Sequence, residues 1–440
     1  MACRCSGRHA SRGIFVFHRA FPSGMRIRRL LLAALLAACG RTAPAPPATL
    51  VLVDSSETIG RLAREPMLVQ HPAGALFVAG YGDTLPHLWR SDDDGRSWTP
   101  VHLGTPADGA IGNSDVDLAV GPDSTLYFLD MSFDRRALEG TRMDLATSRD
   151  AGATWQWRQL SDTRLDDRPW IDVAPDNVAH AIWNDGAGVS HVRSTDGGRT
   201  WEERPRIHPR GGSSHLAVGP RGELAVRVVP LSVSGNSFNP GEDWLFVSID
   251  RGDHWERRTP PGTRAWRAMR DTTVAPPAWR EAPQPRWVEP VAWDATGALF
   301  SLWAHDRRVW LARSRDLGAT WTTWEVARDS AVTYYPYLIA RGDGQLAASW
   351  FTGTGDATVA SVALLDVAGD AAPRVLRAPS FAPEAFQPGV PPDAAGRRSS
   401  AGEYLGLAFL RDGSLGVAVP IQHPAAQRLG VAFRRYARRP

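Results

Sequence analysis

The sequence predicts an all-β fold built from repeated sheets, and three observations lead to that prediction. An octamer of the form Ser-x-Asp-x-Gly-x-Ser/Thr-Trp occurs five times, beginning at Ser91, Ser148, Ser194, Ser248 and Ser314. Its copies recur at intervals of 46 to 66 residues, a period typical of repeated supersecondary units. The segments between the copies alternate apolar and polar residues and are bounded by Gly and Asp turns, as β-strands are.

The octamer has the chemistry of a tight turn rather than that of a catalytic site. Its acidic residue can accept hydrogen bonds from backbone N–H groups of its own loop. Its Gly can adopt a positive φ, and its Trp is a large apolar anchor. In the fourth copy His254 replaces the hydroxyl residue, and we expect a looser turn there. We expect a structural role for all five carboxylates, which belong to Asp93, Asp150, Asp196, Asp250 and Asp316.

Seven units of paired strands can be counted along the chain. Five of them precede an octamer, and two, at 337–351 and 405–421, have the strands without the octamer. The last unit supplies three strands, and TLVLVD at 49–54 can supply the fourth, which would close the units into a ring. The sequence therefore predicts a β-propeller of seven blades whose N-terminal strand completes the last blade. Six blades is the alternative, if one of the seven units decorates the propeller without forming a blade of the ring.

The beginning of the chain has the features of a targeting segment. Residues 1–24 look like an extension upstream of the true start, and residues 25–39 contain arginines followed by a short apolar run. That run ends in Leu36-Ala37-Ala38-Cys39, which resembles a bacterial lipobox lipidated at its Cys. We therefore expect a lipoprotein signal peptide and an anchor in the bacterial cell envelope, at the outer membrane. An ordinary secretory signal is the alternative.

The remainder of the chain is predicted to form one domain behind a short tether. Residues 40–48 are rich in Pro and Ala and are expected to be a linker. Residues 49–440 are expected to form a single propeller, because one closed ring can use nearly all of this length. We expect a monomer that contacts the membrane only through its anchor at Cys39.

Composition argues against several classes of function. The formal net charge is +3, but residues 1–38 hold seven Arg and no acidic residue. The chain after them is therefore acidic and gives no reason to expect nucleic-acid binding. The sequence has three Cys, two of which precede residue 25, and its His residues lack the spacing of a metal site. We expect no disulfide, no metal and no cofactor.

A four-stranded blade places its connections on two faces. The turns between first and second strands share one face with the octamers, and the other connections share the opposite face, called here the long-loop face. Long loops in compact domains are often functional. One of them carries Trp266 among five arginines, a combination that suits sugars and carboxylates but would also suit a cover for a blade edge. The long segments predicted for this face are 130–144, 230–243, 263–287 and 378–400.

The connections on the long-loop face also deliver the first residues of the innermost strands to the mouth of the central channel. These residues are acidic, basic or aromatic, which is a composition that suits a carbohydrate site. A polar, water-filled funnel without catalysis is the alternative. The predicted residues are Arg64, Glu65, Asp115, Asp167, Arg168, His215, Glu289, Tyr334, Tyr335, Glu403 and Tyr404.

The octamer is that of the Asp-box, or BNR, repeat, and the chain resembles the sialidase superfamily. That resemblance implies a glycoside hydrolase with a Tyr nucleophile in place of the usual second carboxylate. In TYYPYLIARGDGQ the nucleophile would be Tyr334 or Tyr335, with Glu289 as its helper. The acid would be Asp115 or Asp167.

The resemblance also implies three arginines that clamp a substrate carboxylate. The corresponding residues would be Arg64, Arg168 and Arg227. In Ala63-Arg64-Glu65-Pro66 the acidic Glu65 stands where the family has Ile, and it would offset the charge of the first arginine. A second departure is the blade count, because sialidases have six blades.

Three further segments, EPMLVQHPAGALFVAGY, DRPWIDVAP and GEYLGLAFLRDG, are similar to segments of secreted bacterial BNR-repeat proteins. This similarity implies the propeller and its export. Three functional hypotheses follow. The first is an envelope-anchored propeller that binds a glycan or another partner on its long-loop face without hydrolysis. The second is an exo-α-sialidase-type hydrolase, and the third is a scaffold for protein assembly.

Overall fold

The structure is a computed structural model that describes residues 48–61, 63–82, 85–208, 213–229, 244–262, 289–305, 307–353, 358–383, 404–423 and 428–439. In these ranges the regular secondary structure consists of 28 β-strands. They form seven four-stranded antiparallel sheets. The fold is therefore the predicted seven-bladed propeller, and the six-bladed alternative is wrong. No helix within these ranges is long and apolar enough to cross a membrane.

The first four blades follow one another along the chain, each from its innermost to its outermost strand. Blade 1 comprises β2 (Arg64–Gln70), β3 (Leu76–Tyr81), β4 (His87–Ser91) and β5 (Thr99–Pro100). Blade 2 comprises β6 (Val116–Val120), β7 (Leu126–Asp134), β8 (Glu139–Ser148) and β9 (Gln156–Ser161). Blade 3 comprises β10 (Asp167–Val173), β11 (Ala179–Asp185), β12 (Gly188–Ser194) and β13 (Glu202–Glu203). Blade 4 comprises β14 (Ser213–Val218), β15 (Leu224–Val229), β16 (Trp244–Ser248) and β17 (Glu256–Arg258).

The last three blades continue this order, except that the outermost strand of blade 7 comes from the start of the domain. Blade 5 comprises β18 (Val291–Trp293), β19 (Leu299–His305), β20 (Arg308–Ser314) and β21 (Thr322–Arg328). Blade 6 comprises β22 (Thr333–Arg341), β23 (Gln345–Thr352), β24 (Val359–Asp366) and β25 (Arg374–Arg377). Blade 7 comprises β26 (Gly406–Phe409), β27 (Leu415–His423), β28 (Arg428–Arg439) and β1 (Thr49–Ile59).

The ring is closed by the pairing that the sequence predicts for the N-terminal strand. Strand β1 pairs antiparallel with β28, from Thr49 opposite Arg439 to Ile59 opposite Gly430. The seven innermost strands contact their neighbours in turn, and β26 of the last blade contacts β2 of the first. No blade is therefore left with a free edge toward a missing neighbour.

Segment 130–144 is not the long loop that we expected. Strands β7 and β8 continue through it as one hairpin, and their pairing extends from Leu126 opposite Ser148 to Asp134 opposite Glu139. The backbone groups of the segment are used in the ladder, so it forms part of blade 2 and projects at the long-loop face. The other three long segments lie largely or wholly outside the described residues.

The five octamers share one hydrogen-bond pattern, seen for example in blade 5. The carboxylate of Asp316 accepts hydrogen bonds from the Thr320 hydroxyl at 2.6 Å, the Thr320 N–H at 2.9 Å and the Ser314 hydroxyl at 2.7 Å. The Ser314 oxygen in turn accepts the N–H of Gly318 at 2.7 Å. In blade 4 His254 Nδ1 lies 2.7 Å from the carboxylate of Asp250, so the ring closes that turn and the expected looser turn is wrong.

The octamers also hold neighbouring blades together, because each Gly packs closely against the preceding blade. A Cβ on Gly152 of blade 2 would lie 2.8 Å from the ring of Phe77 in blade 1. A Cβ on Gly252 of blade 4 would lie 2.1 Å from the ring of His191 in blade 3. Both glycines also have positive φ, of 85° and 87°. Any larger residue would therefore meet both a strained backbone and a steric clash.

Blade 6 has a degenerate octamer at the same place in its sheet. Asp366 to Pro373 join β24 to β25 there, with Asp370 at the Gly position and Pro373 at the Trp position. Beside this turn lies a cavity of about 430 Å³ between blades 5 and 6, bordered by Phe300 and Arg313. Arg313 is paired with Asp370 at 2.5 Å, so the cavity does not present this guanidinium as a free cation.

We expect Asp316→Ala to lower the urea midpoint of unfolding at pH 7, because it removes three hydrogen bonds of one octamer. The Thr320 hydroxyl and N–H hold the pKa of Asp316 down to about 2 from its ordinary value of 3.8. The stabilisation is therefore complete above pH 4 and is lost as the pH falls through about 2. Urea unfolding of both proteins at pH 7 and pH 3 should give a smaller difference at pH 3.

Asp343→Ala is the matched control for this prediction. Asp343 is exposed in a turn on the octamer face and makes no hydrogen bond or ion pair with another described residue. A loss of stability in this control as large as that in Asp316→Ala would contradict a specific role for the octamer carboxylate.

Candidate functional site

The channel mouth, where the innermost strands begin on the long-loop face, has the same local distortion in three blades. The distortion occurs at Arg64-Glu65-Pro66 in blade 1, Asp167-Arg168-Pro169 in blade 3 and Tyr334-Tyr335-Pro336 in blade 6. The residue before each Pro has a positive φ, of 45°, 56° and 49° respectively. The register of each strand with its neighbour shifts at the same place.

This distortion raises the free energy of the folded chain, which makes it a marker of a candidate functional site. A residue other than Gly at positive φ costs on the order of 1–3 kcal/mol, and such residues concentrate at binding and catalytic sites. Proline cannot donate a hydrogen bond to the ladder, which favours a bulge at these positions. The repeated pattern in REPM, DRPW and YYPY is a sequence signal for the channel mouth, and it did not enter the sequence-based prediction.

Beyond the distortion, four side chains meet across the channel and form what we call the aromatic plug. It consists of Trp170 from blade 3, His215 from blade 4, Tyr337 from blade 6 and Tyr404, which immediately precedes blade 7. The ring centroids of Trp170 lie 4.6 Å from His215 and 5.5 Å from Tyr404, and Tyr337 stacks on Tyr404 at 5.3 Å. All four side chains are almost fully buried, so the plug closes the channel.

Three polar atoms of the plug make no hydrogen bond with another described residue. Trp170 Nε1 is buried and has no hydrogen-bond partner. The hydroxyls of Tyr337 and Tyr404 make no hydrogen bond with another described residue. His215 Nδ1 faces the backbone N–H of Val291 at 3.4 Å, so the neutral ring carries its proton on Nε2. Burial lowers the pKa of His215 to about 3 and keeps the ring neutral at physiological pH.

Two carboxylates beside the plug connect innermost strands of adjacent blades. Asp117 accepts the N–H of Ile171 in blade 3 at 2.7 Å. Asp172 accepts the N–H of Val218 in blade 4 at 2.8 Å. Burial raises the pKa of Asp117 well above its ordinary value and raises that of Asp172 to about 6. Asp172 therefore changes its protonation state near neutral pH, next to the channel.

These acids also act on the phenols of the plug. Burial, followed by the charges of Asp117 and Asp172, raises the pKa of Tyr337 well above its ordinary value. Burial, followed by Glu65, Asp115 and Asp117, does the same for Tyr404. Both hydroxyls therefore stay protonated at neutral pH and act as hydrogen-bond donors.

The tyrosines predicted as nucleophiles lie outside the plug. The Tyr334 side chain is buried, its hydroxyl lies 3.0 Å from the Thr358 hydroxyl, and its ring stacks on Phe351. Burial raises the pKa of Tyr334, which disfavours an accessible phenolate, and the nucleophile role of this residue stays a prediction. The ring of Tyr335 is also buried and packs edge-on against Tyr334 and Phe351.

Arg227 and Glu289 come together, but as a buried ion pair between blades 4 and 5 rather than in an open clamp. Their side chains are 0% and 2% exposed. Arg227 also donates to the Ser301 hydroxyl at 2.9 Å and to the carbonyl of Pro261 at 3.3 Å. The predicted roles in substrate binding and as a catalytic helper do not fit, because neither charge is accessible from the channel mouth.

We expect Glu289→Ala to reduce the free energy of unfolding by about 3–5 kcal/mol, because it leaves the buried Arg227 guanidinium without its counter-charge. The double variant Arg227→Met with Glu289→Leu should be markedly more stable than Glu289→Ala, since it buries no charge there. Urea unfolding followed by Trp fluorescence measures both. Equal losses in the single and double variants would show that the charge pair itself is unimportant.

The other predicted charges do lie at the channel mouth. Arg168 Nε is 3.8 Å from the carboxylate of Asp167, whose pKa is raised by burial against the opposing charge of Arg168. Arg64 is half-buried and forms no ion pair with a described carboxylate. Asp115 is half-buried near Tyr404. With Arg227 buried and Arg168 beside an acid, the implied clamp of three free arginines is not formed.

Three predicted residues lie outside the described part of the chain, namely Cys39, Trp266 and Glu403. Within that part, no group of three or more His, Cys, Asp or Glu side chains is arranged to hold a metal ion. The residues of the mouth that the sequence-based prediction missed are Trp170, Tyr337, Asp117 and Asp172. They follow the predicted residues Asp115, Asp167, Arg168 and Tyr335 by two to five positions along the chain.

Fold and site together define a seven-bladed β-propeller with an aromatic-floored channel mouth, and comparisons with known proteins agree with that fold. No family profile and no curated protein matches the chain. An ulvan lyase of polysaccharide lyase family 25 matches with a TM-score of 0.51 and 12% identity, over 86% of this chain and 95% of the lyase. At this identity the likeness establishes the fold alone.

Two further solved structures are similar over much of the chain. An α-L-arabinanase of Penicillium chrysogenum, complexed with arabinobiose, has a TM-score of 0.46 and 13% identity, over 89% of this chain and 98% of its own. A Hadza microbial sialidase has a TM-score of 0.41 and 16% identity, over 72% of this chain and 65% of its own.

Proposed function

We propose that the chain is a glycan-binding propeller whose site is the channel mouth, with the aromatic plug as its floor. One observation carries this proposal: the protonated hydroxyls of Tyr337 and Tyr404 at the channel make no hydrogen bond with another described residue. Aromatic rings with polar tips suit sugars, which combine apolar faces with many hydroxyl groups. The proposal includes anchoring to the bacterial envelope through Cys39, which places the site outside the cytoplasm.

Titration calorimetry of the full chain with a small panel of saccharides tests this proposal. The panel contains arabinobiose, sialyllactose and a GlcA–Rha3S ulvan oligosaccharide, since a solved ulvan lyase with this fold has that saccharide bound. We expect Tyr404→Phe to weaken binding at least tenfold, because it removes one donor and keeps the ring. Tyr334→Phe is the control, since it removes a buried hydroxyl that contacts the Thr358 hydroxyl and is not part of the plug.

Two results would count against a glycan site at the mouth. One is the absence of binding to every saccharide by folded wild-type protein. The other is saccharide binding that Tyr404→Phe and Tyr337→Phe leave unchanged, which would place the ligand elsewhere on the propeller. Circular dichroism and the melting temperature of each variant establish that it is folded.

Glycoside hydrolysis is a second candidate, favoured by Asp172 beside Tyr337. A carboxyl group whose pKa is about 6 can exchange a proton near neutral pH, as a general acid or base must. The exo-sialidase hypothesis belongs here, with Tyr337 as the channel tyrosine instead of Tyr334. Its protonated hydroxyl suits a hydrogen-bond donor better than a nucleophile.

Release of a fluorophore from a sialoside and from an arabinofuranoside tests for hydrolysis. We expect any turnover to fall at least a hundredfold in Asp172→Asn, with Asp162→Asn as an exposed control on the same face. Turnover that persists in Asp172→Asn would exclude Asp172 as the acid or base. If folded wild-type protein binds saccharides but turns over neither substrate, the binding function stands alone for these substrate types.

A further inference from the structure

We infer that the contact between blades 3 and 4 is an acid-sensitive switch, which opens when a pair of buried histidines in blade 3 takes up a proton. The pair is His180 on β11 and His191 on β12. The part that opens is the octamer of blade 4, residues 248–255. This inference does not depend on the proposed glycan site, because the pair and the octamer lie at the periphery of the ring.

The two imidazoles form a hydrogen bond with each other. His180 Nδ1 lies 3.1 Å from His191 Nε2, and the two residues are 0% and 2% exposed. The outer nitrogens, His180 Nε2 and His191 Nδ1, have no hydrogen-bond partner among the described residues. In either tautomer the neutral pair therefore holds one proton between the rings and leaves one outer N–H and one outer lone pair without a partner.

A proton added to this pair has no favourable place in the closed structure. The free lone pair is on an outer nitrogen, so the first added proton creates a second buried N–H with no acceptor in the described part of the chain. A second added proton would set two N–H groups opposite each other across 3.1 Å. Each step also buries a positive charge, which is costly unless water or a counter-charge reaches it.

The cations around the pair oppose its protonation further. Arg193 lies opposite His180 in the ladder between β11 and β12, and Arg204 and Arg251 are also within electrostatic reach. Burial, followed by these three arginines, lowers the pKa of His180 to about 3. Burial, followed by the charges of His180, Arg204 and Arg193, lowers the pKa of His191 well below its ordinary value.

The acidic groups beside the pair are already engaged by these arginines. The ion pairs are Asp253 with Arg193 at 3.3 Å and with Arg204, Glu202 with Arg193 at 3.2 Å, and Asp176 with Arg251. Within the octamer, the carboxylate of Asp250 lies 2.7 Å from His254 Nδ1. None of these carboxylates makes a hydrogen bond to the described histidine pair, so a proton on the pair would not gain a counter-charge in the closed structure.

The octamer of blade 4 is the cover that must separate for water to reach the pair. A Cβ on Gly252 would lie 2.1 Å from the ring of His191, and Trp255 packs edge-on against the same ring at 5.6 Å between centroids. Arg193 adds a hydrogen bond to the carbonyl of Arg251 at 3.4 Å. The octamer is a surface turn, so it can leave blade 3 without breaking the ladder between β11 and β12, as in local unfolding.

Acid therefore favours the open state. In the closed state both histidines stay neutral, whereas exposed histidines take up protons near the ordinary pKa of 6.5. The contribution of the pair to closure is complete above about pH 6.5 and is lost as the pH falls from there toward 3. The carboxylate of Asp250 does not cause this loss at pH 5, because its pKa is lowered to about 2.

Hydrogen exchange of the full chain, followed by mass spectrometry at pH 7 and pH 5, tests this inference. Each rate is divided by the intrinsic exchange rate at the same pH to give a protection factor. We expect protection of residues 248–255 to fall at least tenfold, since each histidine contributes up to about tenfold per pH unit. The octamer of blade 5, residues 314–321, is the internal control, because its Gly318 packs against Leu245 and its Asp316 also has a pKa of about 2.

The double variant His180→Gln with His191→Gln should remove most of this pH dependence, because amides stay neutral at both pH values. His102→Gln is the matched control, since His102 is exposed, and it should keep the change seen in the wild-type protein. If the double variant does not fold, the comparison of the two octamers in the wild-type protein decides alone.

Three results would overturn the switch. One is an equal change of protection in the octamers of blades 4 and 5. Another is a loss of protection in all blades at once, which would mean that the protein unfolds as a whole at pH 5. The third is a fall at the octamer of blade 4 that persists in a folded double variant, which would place its origin outside the histidine pair.

Discussion

The pairing of the first strand of the domain with the last one is the constraint on which the remaining structure depends. Strand β1 completes blade 7 by an antiparallel ladder with β28, and β26 of that blade then contacts β2 of blade 1. Without this closure, the innermost strands of blades 1 and 7 would have no fixed separation. The plug joins residues from blades 3, 4, 6 and 7, so its geometry requires a ring that cannot open.

The octamers also hold the ring of blades together, at its periphery. Their carboxylates accept hydrogen bonds from donors within the same turn. Their glycines let each turn approach the preceding blade more closely than a side chain would allow. The octamers do not occupy the long-loop face, so the connections on that face can vary in length and composition. Blade 6 has Asp370 and Pro373 in place of Gly and Trp, and the cavity between blades 5 and 6 lies beside this turn.

The fold could be predicted because its signals are local: the octamer, the alternation of strands and the spacing between them. The site could be predicted only as a region. A positive φ at Tyr335 shifts the strand register, and such a shift exchanges the faces to which successive side chains point. Simple alternation across this shift does not predict that Tyr337 joins the plug while Tyr334 packs against Phe351. Likewise, the residues next to Arg227 in the sequence do not predict its ion pair with Glu289, because that contact depends on how blades 4 and 5 pack.

The closure of the channel by Trp170, His215, Tyr337 and Tyr404 has a consequence for the geometry of any polymer that binds there. A channel open at both ends could be threaded by a long chain, and an open groove could hold its middle. A dead-end well admits neither arrangement. A polysaccharide can reach these four side chains only with a terminus or a short branch, so the number of chain ends, rather than the mass of polymer, would set how many protein molecules it can carry.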